Sequence, residues 1–422
     1  MYRRQWTKGC IASYASTIGV QLLANQEAFQ PIDFMFRTFV SSNEVPGGAL
    51  AIAKSGQLKY AAYLGFADKK SSLPIGHRSL FRIASLSKPI TAVAILKSIE
   101  SGRLSLDDKI HSLLALGKPS DLRWREITIR HLLQHTGGWD REGTLDPMFA
   151  NRQVSEFTGR TLPISHQDLI RYMLARPLDF EPGSRYAYSN FGYCLLGRIL
   201  ERISEESYEE HVRKQVLGPI DCMESRIGKS VLNELADNEV HYYDGEEKRP
   251  GVLGSAESVV RVYGSWDQQL LDAHGGWIST AIEMTRFASC LPIRNCRPSV
   301  LLAPESIHTM DQPLPKEIDL GEDEVSKDVR YGMGWSIRTL RNGSINAWHT
   351  GDLPGTSTIM VRRHDDFAWT ALFNARTNPA GKRLAQLIDP LIHRAVDEVR
   401  LWPEHDLFES LLSRSPSPKD RK

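Results

Sequence analysis

Ser85-Leu86-Ser87-Lys88 sets a hydroxyl and an amine three residues apart. One helical turn rises about 5.4 Å, so on a helix these side chains share a face and Lys88 reaches the Ser85 hydroxyl. A serine hydroxyl is a weak nucleophile until a neighbouring base takes its proton, and an amine can be that base. The run Pro89-Ile90-Thr91-Ala92-Val93-Ala94-Ile95-Leu96 has the composition of a buried helix. Pro89 suits a first turn, where a missing N–H costs little. A helix start also offers unpaired N–H groups and the positive dipole end, which favour an oxyanion. Ser-x-x-Lys recurs by chance, and either serine also makes a helix cap, so the pair needs partners elsewhere.

Tyr188-Ser189-Asn190 comes directly before an apolar helical run at 191–203. In an extended segment, side chains two apart point the same way, so Tyr188 and Asn190 face one cleft. A phenol near a lysine loses its proton more easily and serves as general base or acid. The alternative is a core tyrosine beside an asparagine N-cap. His349-Thr350-Gly351 ends a predicted strand, and Asp352-Leu353-Pro354-Gly355 follows as a turn. A strand edge there offers a backbone N–H to a carbonyl oxygen, and glycine permits close approach of a ligand.

His135-Thr136-Gly137 repeats that tripeptide, but it follows a segment, 129–134, that reads as a helix ending in glycine. The functional tripeptide is therefore placed at 349. His131 and His135 are four apart, yet Leu132-Leu133-Gln134 between them lacks the acidic residue of the zinc-protease pattern. No metal is assigned. Trp139, Asp140 and Trp277 lie on segments that either line a cleft or pack as rim and core.

These residues require a scaffold that joins remote parts of the chain. Residues 48–54 and 57–64 read as a hairpin across Ser55-Gly56. The nucleophile helix spans roughly 87–101. The middle of the chain is helical and loop-rich, with Ser165-x-x-Asp168, Ser207-x-x-Glu210 and Thr280-x-x-Glu283 as capping boxes. Segments 332–340, 344–349, 356–363 and 367–374 form an antiparallel meander. A helix over 380–400, kinked at Pro390, ends the globular part. The expected fold class is α+β: an antiparallel sheet built from both chain ends, flanked by helices, with a mainly helical second region. The catalytic domain covers 26–402, with a body from 26–105 and 275–402 and a helical region at 106–274. Residues 403–422 form a tail, disordered in composition from Ser413 onward. Within 1–25, Arg3-Arg4 precedes an uncharged, weakly apolar stretch. This fits an export signal and an ordinary N-terminal helix of a cytoplasmic protein equally well.

Ser-x-x-Lys, Tyr-x-Asn and His-Thr-Gly occur in that order. They stand among Phe81-Arg82-Ile83-Ala84, Leu132-Leu133-Gln134-His135-Thr136-Gly137-Gly138, Gly275-Gly276-Trp277-Ile278-Ser279-Thr280 and Tyr331-Gly332-Met333-Gly334-Trp335. The ordered set resembles the serine β-lactamase and penicillin-binding-protein superfamily, on its class C side. It is most similar to DD-carboxypeptidases and esterases that carry His-Thr-Gly in place of Lys-Thr-Gly. The resemblance covers about 29–399 and implies a β-lactamase/transpeptidase-like fold. It also implies a serine hydrolase that forms an acyl-enzyme on Ser85, acts on small esters or D-amino-acid-type amides, and has weak β-lactamase activity at most. By the same resemblance Lys88 accepts or steadies the proton and Tyr188 is general base or acid. Asn190, His349, Thr350 and Gly351 bind substrate, and the N–H groups of Ser85 and Asp352 form the oxyanion hole. No cofactor is implied. Neutral Lys88 at pH 7 needs a downward shift of about three units, so the choice of base between Lys88 and Tyr188 stays open. A histidine at 349, with a reference pKa of about 6.5, is mostly neutral, so less dependence on a substrate carboxylate is expected. Asp352 repels an anion if its side chain faces the cleft. An acyltransferase using the same site, and a non-catalytic penicillin-binding sensor or scaffold, are the alternatives.

Bulk composition agrees with such a role. The chain has 422 residues, enough for a sizeable core, and 52 basic against 51 acidic side chains. That balance argues against general nucleic-acid or membrane-surface binding; the resemblance implies a small ester, amide or peptide as the partner. No stretch is apolar enough for a membrane span. Five cysteines without metal-type spacing make no disulfide framework, though they leave room for one pair.

Overall fold

The computed structural model describes residues 20–22, 27–254, 257–293, 296–320 and 328–412. Most of the signal-like segment and the tail from 413 lie outside the described residues. The elements that matter here are β1 (Val20–Leu22), α1 (Gln30–Ser42), β2 (Gly47–Lys54), β3 (Gln57–Asp68), α2 (Ser87–Glu100), α3 (Asn190–Ser204) and α4 (Ala281–Ser289). They continue with β4 (Val329–Tyr331), β5 (Ser336–Thr339), β6 (Ile345–Leu353), β7 (Thr356–Arg362), β8 (Phe367–Phe373) and α5 (Leu384–Glu398).

The main sheet runs β1-β3-β2-β8-β7-β6-β5-β4, and each of these neighbouring pairs is antiparallel. β2 and β8, from opposite ends of the chain, pair from Lys54 opposite Phe367 to Gly48 opposite Phe373. The α+β sheet from both termini is thus the observed one. Ser55 and Gly56 take φ of 52° and 78°, the two positive values that a tight two-residue hairpin turn demands.

Both faces of the sheet are covered, so β7 and β8 are buried along their whole length, β8 as a mainly apolar run and β7 with buried Thr356, Ser357, Thr358 and Arg362 among its residues. The alternation of β2 divides its side chains between two cores. Ala49, Ala51 and Ala53 join the cluster that contains Met284 and Phe287 of α4. Leu50 and Ile52 join Phe36 of α1 and Ile388 of α5 on the other face. Small residues on the α4 side let that helix lie close to the strand.

Several boundaries differ from the sequence reading. The expected strand at 332–340 begins only at Ser336. Gly334 has φ 85°, and a Cβ there would come within 2.9 Å of Ala92 Cβ and 3.1 Å of Pro89 Cα. The Gly332–Trp335 turn therefore packs on α2, and the residues before it form a separate edge strand, β4. β6 does not end at His349 but continues to Leu353, which leaves only Pro354-Gly355 as the turn. α5 continues through Pro390 as one helix. Ser165 and Ser207 head reciprocal capping boxes. Thr280 accepts from Glu283 N, but the Glu283 carboxylate instead takes Glu224 N at 2.7 Å and Ser225 Oγ at 2.6 Å. Past 403 the chain packs back on β3, where Leu58 N donates to Asp406 Oδ1 and Leu407 N to Leu58 O, both at 2.9 Å. Cys194, Cys222, Cys290 and Cys296 are free thiols.

Candidate active site

The segment before Ser85 is held by remote partners. Arg82 is fully buried; its guanidinium donates to Val262 O at 2.7 Å and Lys229 O at 2.9 Å and lies 4.4 Å from the Tyr242 ring centre. From β7, Thr356 Oγ1 donates to Arg82 O at 2.9 Å and Thr358 Oγ1 to Ile83 O at 3.0 Å. Ala84 is thereby kept at φ 48°. A left-handed alanine costs about 1–2 kcal/mol. The chain then makes one 3₁₀ turn, Ala84–Leu86, and enters α2. Ser87 Oγ donates to Ala84 O at 2.7 Å and is used up on the backbone. Ser85 stays partly exposed at the mouth of the site.

Lys88 lies directly beneath it, fully buried. Its Nζ is 3.0 Å from Ser85 Oγ, 2.8 Å from Asn190 Oδ1 and 3.1 Å from His274 O. Asn190 Oδ1 and His274 O can only accept, so each takes an N–H from Lys88. The third position on the nitrogen, whether N–H or lone pair, is left for Ser85. Burial, then the Arg141 charge, holds the amine well below the usual lysine range, against a smaller pull from Asp146. His274 O belongs to the turn Asp272–Gly276, which is anchored where Arg198 donates to the buried Asp272 carboxylate at 2.5 Å.

The Ser85 hydroxyl lies near Tyr188 and favours its ionised form, and the Tyr188 ring centre is 4.6 Å from Lys88 Nζ and 4.5 Å from the Arg141 guanidinium carbon. Burial pushes the phenol upward, in the opposite sense to Lys88. Ser189, not Asn190, is the N-cap of α3, accepting Gly192 N at 3.1 Å. That frees the Asn190 side chain, which takes Lys88 on its oxygen and donates from Nδ2 to Asp146 Oδ2 at 2.5 Å.

β6 completes the enclosure. Its pairing with β5 stops at Trp348, so from His349 onward that edge is open. Counted from the two-residue turn, the antiparallel alternation turns the Asp352 N–H away from β7 and toward this open edge. His349 is buried, with Nδ1 2.7 Å from Thr350 O and Nε2 3.0 Å from Tyr331 OH. A neutral ring fits both contacts, Nδ1–H donating to the carbonyl and Nε2 accepting the phenol. Burial and the nearby Lys88 push its pKa down to about 3. The Asp352 carboxylate does not face the cleft as a free charge: it is bound by Arg376 Nε at 2.7 Å and by Arg383. The repulsion of anions considered from sequence is therefore neutralised.

Gly351 shows how tightly the strand and the Ser85 turn meet. A Cβ there would lie 2.3 Å from Ile83 O and 2.2 Å from Thr358 Oγ1. Gly351→Ala is expected to push β6 from the Ser85 turn and to slow acylation of Ser85 at least tenfold, read as the rate of covalent labelling by a fluorophosphonate. Unfolding measured alongside is expected to stay cooperative, since the clash lies at the sheet edge.

Sequence reasoning missed the role of His135. It is buried, its Nδ1 accepts Ser189 N at 3.1 Å, and its ring lies 4.3 Å from Tyr188 and 4.5 Å from Tyr331. The repeated tripeptide is thus a support under the tyrosines and not a second strand edge. Its position within Leu132–Gly138 was the available signal. His131 stays in its own helix cap. Trp139 and Trp277 are core residues, the first against Trp124 and Phe191, the second donating to Tyr208 OH at 3.0 Å. Asp140 pairs with Arg185 at 2.7 Å. Among the described residues, no group of three or more His, Cys, Asp or Glu is arranged to hold a metal ion.

Known proteins resemble this chain. The chain is 27% identical over 339 residues to penicillin-binding protein 4* of Bacillus subtilis, covering 78% of this chain and 68% of that one. It is 28% identical over 223 residues to the esterase EstB of Burkholderia gladioli, covering 51% of this chain and 55% of that one. A D-amino acid amidase from Ochrobactrum anthropi SV3, solved with D-phenylalanine, superposes with a TM-score of 0.68 at 20% identity over 89% of this chain and all of that one. With the Beta-lactamase family model matching residues 32–391, this chain belongs to the Beta-lactamase family, as a serine hydrolase.

Proposed function

We propose that Ser85 is acylated by small esters and D-amino-acid-type amides, with Lys88 as general base and Tyr188 as general acid. The observation that carries this is the Lys88 amine, fixed by two acceptors so that its remaining position meets Ser85 Oγ at 3.0 Å. Environments that drive one group's pKa down and its neighbour's up sort base from acid.

Ser85 Oγ attacks the substrate carbonyl carbon while its proton passes to Lys88. The N–H groups of Ser85 and Asp352 receive the developing oxyanion. Tyr188 gives its proton to the leaving alcohol or amine as the C–O or C–N bond breaks, and the Lys88 ammonium then returns a proton to the phenolate. Water, deprotonated by the same pair, releases the acid. Asn190, His349, Thr350 and Gly351 line the acyl donor. A neutral His349 supports donors without a carboxylate, and the esterase and amidase likenesses agree with esters and D-amino-acid amides.

The test combines fluorophosphonate labelling with turnover of p-nitrophenyl esters and D-amino-acid amides by the wild type and Ser85→Ala. Labelling at Ser85 and turnover, both lost in S85A, is the expected result. Labelling without turnover of either class would leave a slow-acylating sensor in its place. Neither labelling nor turnover would remove the reading. Adding an alcohol or amine acceptor separates hydrolysis from transfer by the product formed.

A further inference from the structure

We propose that Asp146 is a positioning residue, which by accepting the Asn190 N–H fixes that amide so that its oxygen, and not its NH2, faces Lys88. The inference rests on the Ser85–Lys88 reading above and adds a residue to it. Asp146 stands on the loop before the 3₁₀ turn Pro147–Phe149 and has two jobs there. Its Oδ1 accepts Met148 N at 3.2 Å, and its Oδ2 accepts Asn190 Nδ2 at 2.5 Å.

An amide has two faces of opposite hydrogen-bonding sense, and Asn190 is wedged between a carboxylate and an amine. Burial raises the Asp146 pKa, opposed by the Asn190 N–H, the Arg141 charge and the Met148 N–H; in its ionised form the carboxylate can only accept, so it claims the NH2 and turns the oxygen to Lys88. That orientation matters because a neutral amine has two donors and one lone pair. Asn190 Oδ1 and His274 O take the donors, and the lone pair is left for the Ser85 proton. A flipped Asn190 would present NH2 to Lys88 and compete with Ser85 for that lone pair. Asp146 removes this competing arrangement and also brings a negative charge near Lys88. The other groups around the amine are the Arg141 charge, the rings of Tyr188 and Tyr193, and His135, His274 and His349, which burial keeps neutral.

Asp146→Asn decides the matter. Asparagine caps a turn as well as aspartate does, so the Met148 contact survives, and the thermal unfolding midpoint is expected to stay near that of the wild type. The charge is lost and the amide orientation is no longer imposed. In full-length protein labelled with 13C-lysine, the Lys88 Cε titration, assigned by its disappearance in Lys88→Met, is expected to move down by about one pH unit. Fluorophosphonate labelling at neutral pH is expected to slow by about 30-fold, with its acid limb displaced to lower pH. Asp146→Glu, which restores a carboxylate, is expected to bring the titration midpoint back toward the wild type. An unchanged Lys88 midpoint in D146N overturns the proposal, whatever the rate does. The titration needs no turnover, so it decides on Asp146 even if Ser85 proves unreactive, whereas absent labelling of the wild type would count against the hydrolase reading alone.

Discussion

Lys88→Met is expected to slow acylation of Ser85 by about 10⁴-fold, at the upper end of what a positioned base supplies. Methionine fills a similar volume without a basic nitrogen, so Ser85 keeps its place and loses its proton acceptor. Single-turnover labelling with a fluorophosphonate reads the effect without deacylation. The pH profile carries a second signature. With Lys88 as the proposed base, only its neutral form takes the proton, so the wild-type rate is expected to rise as pH climbs through its lowered pKa and then level, while in Lys88→Met that limb disappears. His349, already held near 3, adds no step around pH 6–7. Stability follows the same group. The unfolded chain binds a proton on Lys88 below about 10.4 and the folded chain resists it, so stability rises with pH across that window. The variant has no such group, and that slope is expected to flatten. A variant that retained wild-type labelling and its pH limb would show that another group takes the proton.

Tyr188→Phe is expected to produce a loss that depends on the leaving group. Burial holds the phenol protonated at neutral pH, which suits it to donate and not to accept. Alkyl esters and amides, whose leaving groups need a proton, are expected to lose about 10³-fold in kcat/KM. Activated aryl esters, which leave as stable anions, are expected to lose about tenfold. A uniform loss across both classes would instead make Tyr188 a base or a packing residue. The phenylalanine ring keeps the stacking with His135 and Arg141, so the comparison isolates the hydroxyl.

The chemistry-bearing residues were readable because their types and spacing are local. Ser85 and Lys88 share a helical turn, and Tyr188 and Asn190 flank one cap. The sheet was readable for a similar reason, since strand runs such as 367–374 are continuous and apolar. What the sequence did not disclose is three-dimensional occupancy. Strand β6 outran its predicted end because Gly351 must slide under Ile83 O, a contact between segments far apart in the chain. The strand expected from 332 was delayed because Gly334 is pressed on α2. Asp352 carries a charge in the sequence, but Arg376 and Arg383 cancel it from beyond β8. His135 looked like a spare copy of a motif because its partners, Ser189 and Tyr331, come from remote segments. Asp146, on a loop with no periodicity, gave a cap signal in Asp146-Pro147 but none for its contact with Asn190.

The pairing of β2 with β8 has a consequence for how the protein comes into being. Ser85 and Lys88 are translated long before Thr356 and Thr358, which tether the turn preceding Ser85, and before the Asp352 amide. A chain still on the ribosome would own the hydroxyl and its amine without the proposed receptor for the oxyanion. Closing the sheet across so long a sequence separation is also slow relative to local structure. Reactivity at Ser85 would therefore wait until β6 and β7 are made and paired, which makes covalent labelling a direct clock for closure of the sheet.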